Sequence, residues 1–159
     1  ESLGLENLSI ATPDIGGAKR ANSYASYFNA PLVICHKHRN KPNEVAKMIA
    51  IGEVKDRNII LLDDMIDTGG TITKAANMFM EMGARSVRAV STHPVLSGKA
   101  YENLKEGQLA EVIVTDTIPL RTDKDTSKIT VLSTADVFAD VIERVHNYKE
   151  ISSQFVFVK

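Results

Sequence analysis

The chain has 159 residues, 43% of them hydrophobic and 25% charged, with a formal net charge of −1. This length suits a single domain with a hydrophobic core, and the near-zero charge excludes the broad positive surface with which proteins hold nucleic acid. No apolar run approaches membrane-spanning length, no signal-like leader opens the sequence, and the single Cys35 excludes an internal disulfide. We therefore expect a soluble, cytoplasmic protein with neither nucleic-acid nor membrane partners.

The first third of the chain alternates apolar and polar stretches. Its predicted elements are a strand at 8–11, a helix at 18–28, a strand at 31–35 and a polar loop at 36–43. Residues 44–51 are ambiguous from composition, because Ala46, Lys47 and Met48 favour helix by propensity.

The remaining elements continue this alternation. They are a strand at 58–62, a helix at 70–82, a strand at 87–91, a helix at 97–104, strands at 112–115 and 129–132, and a helix that starts near Ser133. Gly83 is a natural stop for the helix at 70–82, and Ser133 with Asp136 resembles a capping box. Alternating strands and helices predict an α/β domain with a mainly parallel sheet and helices on both faces.

Two acids follow the most apolar of these strands. Residues 59–62 form a short unbroken apolar run, typical of a central parallel strand, so Asp63 and Asp64 fall at its carboxyl end. Ligands bind at that edge of open α/β sheets, because the connecting loops diverge there. Two carboxylates at this place suit a ribose diol or a hydrated cation.

A glycine-rich turn comes directly after the acids, at Asp67, Thr68, Gly69, Gly70 and Thr71. Two residues without Cβ let backbone N–H groups approach an anion, and the following helix adds its own unpaired N–H groups. The two threonines add hydroxyl donors. This pattern predicts a phosphate cradle, and the alternative is an ordinary strand-to-helix turn with Thr71 as the N-cap.

Two further turns carry candidate site residues. Asp14 precedes Gly16 and Gly17 between the first strand and helix, although a lone aspartate there is more often a helix cap or turn former. The basic stretch 36–41 (HKHRNK) follows the second strand, and without context such a run is a solvated surface turn. Elsewhere, His93 is expected to be buried or to stabilise a turn, while Lys19 and Arg20 are expected to be helix-surface charges.

The segment LLDDMIDTGGT (61–71) resembles the phosphoribosyl-pyrophosphate binding motif of type I phosphoribosyltransferases. Three more segments, ATPDIGGAKRA (11–21), HKHRNKPNEV (36–45) and STHPVLSGKA (91–100), are similar in order and spacing to the carboxyl-terminal half of the ribose-phosphate pyrophosphokinase family. The similarity runs from about residue 6 to residue 146. It implies a type I phosphoribosyltransferase-like fold, with residues 44–51 as a strand.

The resemblance implies a reaction and a set of site residues. The family transfers the diphosphoryl group of MgATP to the 1-hydroxyl of ribose 5-phosphate, which gives phosphoribosyl pyrophosphate and AMP. Lys37 and Arg39 are implied as catalytic residues of a loop that closes over the phosphates. The implied ribose 5-phosphate site comprises Arg39, Asp63, Asp64, Asp67, Thr68, Gly69, Gly70 and Thr71. The implied ATP-phosphate site comprises Asp14, Gly16 and Gly17, with Asp14 also holding Mg²⁺.

The same resemblance implies that residues 1–159 are one domain of a two-domain enzyme that is a homo-oligomer at full length. The isolated domain is then expected to be inactive or weakly active, because the adenine site belongs to the other half. His36 and His38 depart from the usual family pattern of an acid and an arginine, which softens the charge of the basic loop. Two alternatives stay open: a free-standing type I phosphoribosyltransferase, and a non-catalytic regulatory subunit that binds the synthetase.

Overall fold

The structure is a computed structural model that describes residues 4–38 and 47–155, without the side chains of Lys37, His38 and Lys47. Seven strands form one sheet: β1 Leu8–Thr12, β2 Leu32–His38, β3 Lys47–Ile51, β4 Asn58–Ile66, β5 Ser86–Pro94, β6 Glu111–Thr115 and β7 Ile129–Leu132. The helices are α1 Ala18–Tyr27, α2 Gly70–Glu81, α3 Ala100–Glu106 and α4 Ala135–His146, followed by a short 3₁₀ turn at Ser152–Gln154.

The strands lie in the order β3-β2-β1-β4-β5-β6-β7, and all neighbours are parallel except β2 and β3. Parallel neighbours need a crossover connection, and α1, α2 and α3 supply those from β1 to β2, from β4 to β5 and from β5 to β6. The predicted α/β fold with a mainly parallel sheet is therefore confirmed. None of the helices in the described ranges is long and apolar enough to cross a membrane.

The two faces of the sheet are covered by different helices, because successive strand residues point to opposite sides. Ile59 and Leu61 of β4 pack with Phe79 of α2 and Leu104 of α3 in the larger core. On the other face, Ile10 and Leu62 pack with Ala21 and Ala25 of α1 in a smaller one. The predicted placement of helices on both sides of the sheet is confirmed.

Cys35 belongs to the larger core and has no exposed surface. Burial raises the pKa of its thiol to about 12, and the nearby charge of Asp14 adds to the shift. A thiol in this state is unreactive at neutral pH, because the thiolate is the nucleophile.

Several predicted boundaries were wrong. Residues 36–38, predicted as a loop, extend β2, because their backbone pairs with residues 47–49 of β3 in an antiparallel ladder. Residues 39–43 of that predicted loop lie outside the described residues. The strand implied at 44–51 is confirmed for Lys47–Ile51. The helix predicted at 97–104 begins later, at Ala100. Strand β4 continues past the predicted end at residue 62 to Ile66.

The capping box predicted at the start of the last helix was also wrong. Thr134 is the N-cap, and its side chain makes no capping hydrogen bond. Ser133 and Thr134 instead bond Asp116 at the end of β6, which receives both hydroxyls and the Thr134 N–H. These bonds lower the pKa of Asp116 to about 2 and fix the start of α4 to the neighbouring loop.

Candidate functional site

A crevice is expected where the connections of two adjacent strands diverge. From β1 the chain crosses through α1 to β2, whereas from the neighbouring β4 it crosses through α2 to β5 on the opposite side. The pair β1 and β4 is therefore the topological switch point of the sheet, the usual place for a ligand in open α/β folds. The turn after β1 and the loop after β4 flank this point.

The loop after β4 adopts the geometry of an anion cradle. Gly69 has a φ of 71°, in the left-handed region that glycine accepts without strain, and is the N-cap of α2. The first backbone bond of the helix runs from Thr73 N–H to the carbonyl of Gly69, at 3.0 Å. The first turn of α2 therefore presents its backbone N–H groups and its positive dipole end at the carboxyl edge of the sheet. The alternative with Thr71 as N-cap was wrong.

The segment between β5 and α3 packs beside this loop and holds it by hydrogen bonds. Leu96 and Ser97 donate backbone N–H groups to the carbonyls of Ile66 and Asp67, each at 3.0 Å. The Ser97 hydroxyl also donates a short hydrogen bond to the Asp67 carboxylate. Two backbone hydrogen bonds and one side-chain hydrogen bond therefore hold the backbone of this loop in place.

Asn103 of α3 is the second support. Its amide Nδ2 donates to the carbonyl of Thr68 at 2.8 Å, and its own carbonyl accepts the Thr73 hydroxyl at 3.2 Å. The sequence predictions missed Ser97 and Asn103. Ser97 lies inside the segment 91–100 that carries the resemblance, but its role could not be read from that segment. Both roles become visible only in the structure, where Ser97 and α3 pack against the loop.

The acid pair is divided between the two faces of the sheet. Asp63 shares the side of Ile59 and Leu61 and is half-buried, whereas Asp64 is exposed on the side of α1. Burial raises the pKa of Asp63 to about 6, and the hydrogen bond and charge of Asp64 and the charge of Asp14 add to the rise. For Asp64, hydrogen bonds with Asp63 and Arg20 outweigh a burial effect, so its pKa lies below its usual range.

Arg20 of α1 completes this side of the crevice. Its Nη2 lies 3.2 Å from Asp64 Oδ2, with both side chains about half-exposed. Arg20 is an exposed helix-surface charge, as expected, and it also pairs with Asp64 because α1 begins beside the site, where its first turn faces the end of β4. The signal in the sequence was its position, three residues after Gly17.

The turn after β1 is held by its own side chains. Asp14 Oδ1 accepts the N–H of Gly17 at 2.9 Å, and the Thr12 hydroxyl donates to the carbonyl of Asp14 at 3.0 Å. A Cβ on Gly17 would lie 2.3 Å from the Thr12 hydroxyl oxygen, so only glycine fits there. Asp14 acts as a turn former, and its exposed carboxylate lies close enough to Asp63 to contribute to the raised pKa of that group.

The predicted site residues are brought together in part. Asp14 and the acid pair are close enough to influence one another's charge, and residues 67–71 lie on the adjacent loop. Lys37 lies in β2, next to β1, but its side chain is not described, and Arg39 lies outside the described residues. His93 Nδ1 lies 3.0 Å from the Thr117 hydroxyl, consistent with its expected structural role.

No group of three metal-ligating side chains forms a closed site within residues 4–38 and 47–155. Mg²⁺ does not need one, because it keeps several waters and binds through one or two carboxylates together with substrate phosphates. Asp14 and the acid pair supply oxygen donors of that kind. The donor set therefore fits Mg²⁺ held jointly with a phosphorylated substrate.

Comparison with known proteins places the chain in context. A family model described as the phosphoribosyl synthetase-associated domain matches residues 35–156. The ribose-phosphate pyrophosphokinase of Porphyromonas gingivalis is 48% identical over 157 residues, which are 99% of this chain and 50% of that protein. That of Campylobacter jejuni is 50% identical over 151 residues, 95% of this chain and 48% of that protein. The chain spans about half the length of these curated relatives.

Solved structures agree in fold. The phosphoribosylpyrophosphate synthetase of Mycobacterium smegmatis has a TM-score of 0.82 and 40% identity, and the match covers 90% of this chain and 46% of that one. The adenine phosphoribosyltransferase of Thermoanaerobacter pseudethanolicus has a TM-score of 0.51 at 20% identity, covering 70% of each chain. At that identity the second likeness concerns the fold alone, and it is the fold that the sequence predicted.

Proposed function

Because the chain belongs to the phosphoribosyl synthetase-associated domain family, we propose that it supplies the ribose 5-phosphate half of an enzyme that makes phosphoribosyl pyrophosphate and AMP from MgATP and ribose 5-phosphate. The observation that carries the proposal is the braced loop at 67–71, which sits at the switch point beside the acid pair. The proposal includes a cytoplasmic location, in keeping with the free, buried thiol of Cys35.

The loop at 67–71 binds the 5-phosphate of the sugar. Backbone N–H groups at the start of α2 and the hydroxyls of Thr68 and Thr71 provide donors without a formal positive charge, and the helix dipole favours the dianion. The half-buried Gly70 at the first helical position lets the phosphate approach the backbone. Asp67 contributes through its bond to Ser97, which orients the loop, rather than as an acceptor for the ligand.

The acids at the end of β4 orient the ribose ring. Asp64 is ionised and partly neutralised by Arg20, so it can accept hydrogen bonds from a ribose diol. Asp63, with a pKa of about 6, lies close to its charge transition at neutral pH. The approach of a cation would favour its ionised form.

Asp14, together with Gly16 and Gly17, receives the phosphates of ATP at the turn after β1. Asp14 would hold Mg²⁺ together with the substrate phosphates, and the ion when bound would neutralise phosphate charge and orient the diphosphoryl group. Lys37, on the strand next to β1, and Arg39 would stabilise the transferring group by charge. Phosphoryl transfer depends mainly on such positioning and electrostatics.

The domain assignment is part of the same proposal. Residues 1–159 act as one domain of a two-domain enzyme, and the adenine-binding residues belong to the half that the relatives carry in addition. The isolated chain should therefore bind ribose 5-phosphate and turn over ATP poorly. The full-length protein is proposed to be a homo-oligomer.

Isothermal titration calorimetry of the 159-residue chain tests the proposal. Ribose 5-phosphate should bind and unphosphorylated ribose should not. Thr68→Val should weaken binding by several-fold, whereas Lys149→Ala, at an exposed position beyond α4, should not. No AMP should form when MgATP is added. Robust AMP formation would contradict the half-site proposal, and product formation from phosphoribosyl pyrophosphate and a nucleobase would instead favour a free-standing phosphoribosyltransferase.

A further inference from the structure

The connection between β6 and β7, residues 116–128, lies against helix α3. The two strands are parallel neighbours, and a connection of this kind usually contains a helix. Residues 116–128, all of them described, contain no helix and run along the outer side of α3 instead. The backbone N–H of Arg121 donates to the hydroxyl of the buried Tyr101 at 2.9 Å. The connection is thus attached to the helix that supports the loop at 67–71.

Two ion pairs add to this attachment on the surface. Lys124 Nζ lies 3.0 Å from Glu102 Oε1, and Lys105 Nζ lies 2.7 Å from Asp125 Oδ2. These pairs are largely exposed, so each contributes little to the position of the helix.

Lys128 makes a different contact, at the carboxyl end of α3. Its Nζ donates to the backbone carbonyls of Lys105 and Gly107, at 2.7 and 2.8 Å. The last carbonyls of a helix have no partner within the helix, and a cation there also interacts favourably with the negative end of the helix dipole. Hydrogen bonds from a charged donor are stronger than neutral ones. Lys128 is therefore the main cap of this helix.

The end of α3 that is capped in this way lies against the first turns of α2. A Cβ on Gly107 would lie 2.5 Å from Thr73 Cγ2, so the two helices touch there. The Gly107 N–H donates to the Asn103 carbonyl at 3.0 Å, and the same carbonyl accepts the Thr73 hydroxyl at 3.2 Å. The Asn103 amide in turn donates to the Thr68 carbonyl at 2.8 Å. An unbroken series of contacts thus connects the capped end of α3 with the glycine-rich loop.

The position of α3 depends on such contacts because the helix is short. It has seven residues, and its N-cap makes no side-chain hydrogen bond. A helix of this length is not stable by itself. Tyr101 and Leu104 anchor its inner side in the core, but apolar packing is non-directional. Hydrogen bonds at its end therefore fix its position along its axis.

We propose that Lys128 is a positioning residue for the 5-phosphate of the sugar. It fixes the end of α3, and through Asn103 it fixes the loop at 67–71 that presents donors to the phosphate. Its Nζ is bonded to two carbonyls of α3, so it acts through the helix rather than by contact with the ligand. The inference rests on the proposed function, because it takes ribose 5-phosphate as the ligand of that loop.

Isothermal titration calorimetry of ribose 5-phosphate with the 159-residue chain tests this role. Lys128→Met is compared with Lys149→Met, which removes the same charge at an exposed position beyond α4. Lys128→Met should weaken binding by about five-fold, the contribution of one hydrogen bond, and Lys149→Met by less than about two-fold. Circular dichroism at the same temperature verifies that both variants are folded, so lost stability alone cannot lower the affinity. Unchanged affinity of a folded Lys128→Met chain would overturn the proposal.

A double-mutant cycle tests whether Lys128 acts through Asn103. Independent effects multiply, so additivity would give the double variant the product of the two single losses. If the effect passes through Asn103, Lys128→Met should weaken binding by less than about two-fold in the Asn103→Ala background. The same five-fold loss in both backgrounds would overturn the proposed path.

Two more variants separate hydrogen bonding from side-chain volume. Lys128→Arg keeps the charge and the donors and should retain affinity within about three-fold of wild type. A loss as large as that of Lys128→Met would assign the effect to volume and contradict the proposal. Lys128→Gln keeps a shorter donor and should give a smaller loss in the same direction, which provides a milder variant should Lys128→Met not fold.

Hydrogen exchange distinguishes a failure of this inference from a failure of the proposed function. In the chain without ligand, Lys128→Met should accelerate exchange of the Thr73 N–H, which bonds the Gly69 carbonyl, more than exchange of the amides of β4. Equal acceleration at both places would overturn the positioning role. A wild-type chain that binds no ribose 5-phosphate would contradict the proposed function and the ligand named here, even where the exchange result shows that Lys128 holds the loop.

Discussion

The two faces of the sheet are built from alternate residues of the same strands, yet they differ in how completely they are covered. On the side of α2 and α3, Phe79, Ile59 and Leu61 have no exposed surface. On the side of α1, the apolar surface of the sheet continues into an open groove that ends at the exposed Leu132. The sealed face carries the supports of the loop at 67–71, so this loop, the proposed phosphate loop, is anchored on the more fully covered side of the domain.

The largest expected difference concerns the core. Phe79→Ala should lower the free energy of unfolding by about 3–5 kcal/mol, because it leaves a cavity under α2, whereas Leu132→Ala should cost about 0.5 kcal/mol or less. Urea unfolding followed by circular dichroism measures both. Similar losses at the two positions would show that the faces do not differ in this way.

A smaller effect is expected at the support of the phosphate loop. Asn103→Ala removes the bond to the Thr68 carbonyl and should cost about 1–2 kcal/mol of unfolding free energy. It should also weaken ribose 5-phosphate binding, because the loop loses its fixed position. Glu106→Ala, at an exposed position of the same helix, is the control. An Asn103→Ala variant with unchanged affinity for ribose 5-phosphate would show that binding does not depend on this hydrogen bond.

The pH dependence of stability should distinguish the two acids. Asp63 has a pKa raised to about 6, so its ionisation opposes folding: the cost is present above pH 6 and disappears as the pH falls towards 4. Asp63→Asn should therefore stabilise the chain at pH 7.5 by about 1 kcal/mol, after allowance for its partial exposure, and have little effect at pH 4. Thermal unfolding across this range, without divalent cations, measures it, and a gain that persists at pH 4 would point to packing instead.

The smallest effect is expected for the ion pair on the α1 side. Arg20→Ala should change the free energy of unfolding by about 0.5 kcal/mol or less, since both partners are about half-exposed. It should also raise the pKa of Asp64, which NMR titration of the carboxyl groups would detect. An Arg20→Lys variant should restore part of the shift. A cost of several kcal/mol would mean that the pair is structurally essential.

Much of the fold could be predicted because its signals are local. The apolar run 59–62 predicted the central strand, and Gly69 and Gly70 predicted the turn into α2. The extension of β4 to Ile66 could not, because aspartates are poor strand formers and the extension depends on pairing of Met65 and Ile66 with β5.

The loops that carry the candidate site residues could be predicted from the sequence, but the residues that hold those loops in place could not. Asp14, the acid pair and residues 67–71 converge at one edge because strand order brings the ends of β1 and β4 together, although their proposed ligands stay predictions. Arg20, Ser97 and Asn103 were missed since their partners lie 44, 30 and 35 residues away in the chain. The capping residue of α4 was misassigned for the same reason, because Asp116 is 18 residues from Thr134.

The bonds that hold the phosphate loop also affect the thermodynamics of binding. Leu96, Ser97 and Asn103 fix the loop backbone in the folded chain, so the conformational entropy of ordering it is lost during folding. A phosphate that binds this loop therefore meets donors that already have their final positions, and little of its binding free energy is spent on ordering them. If the loop binds phosphate as proposed, its affinity for phosphate should therefore depend on the stability of the α2–α3 side of the domain.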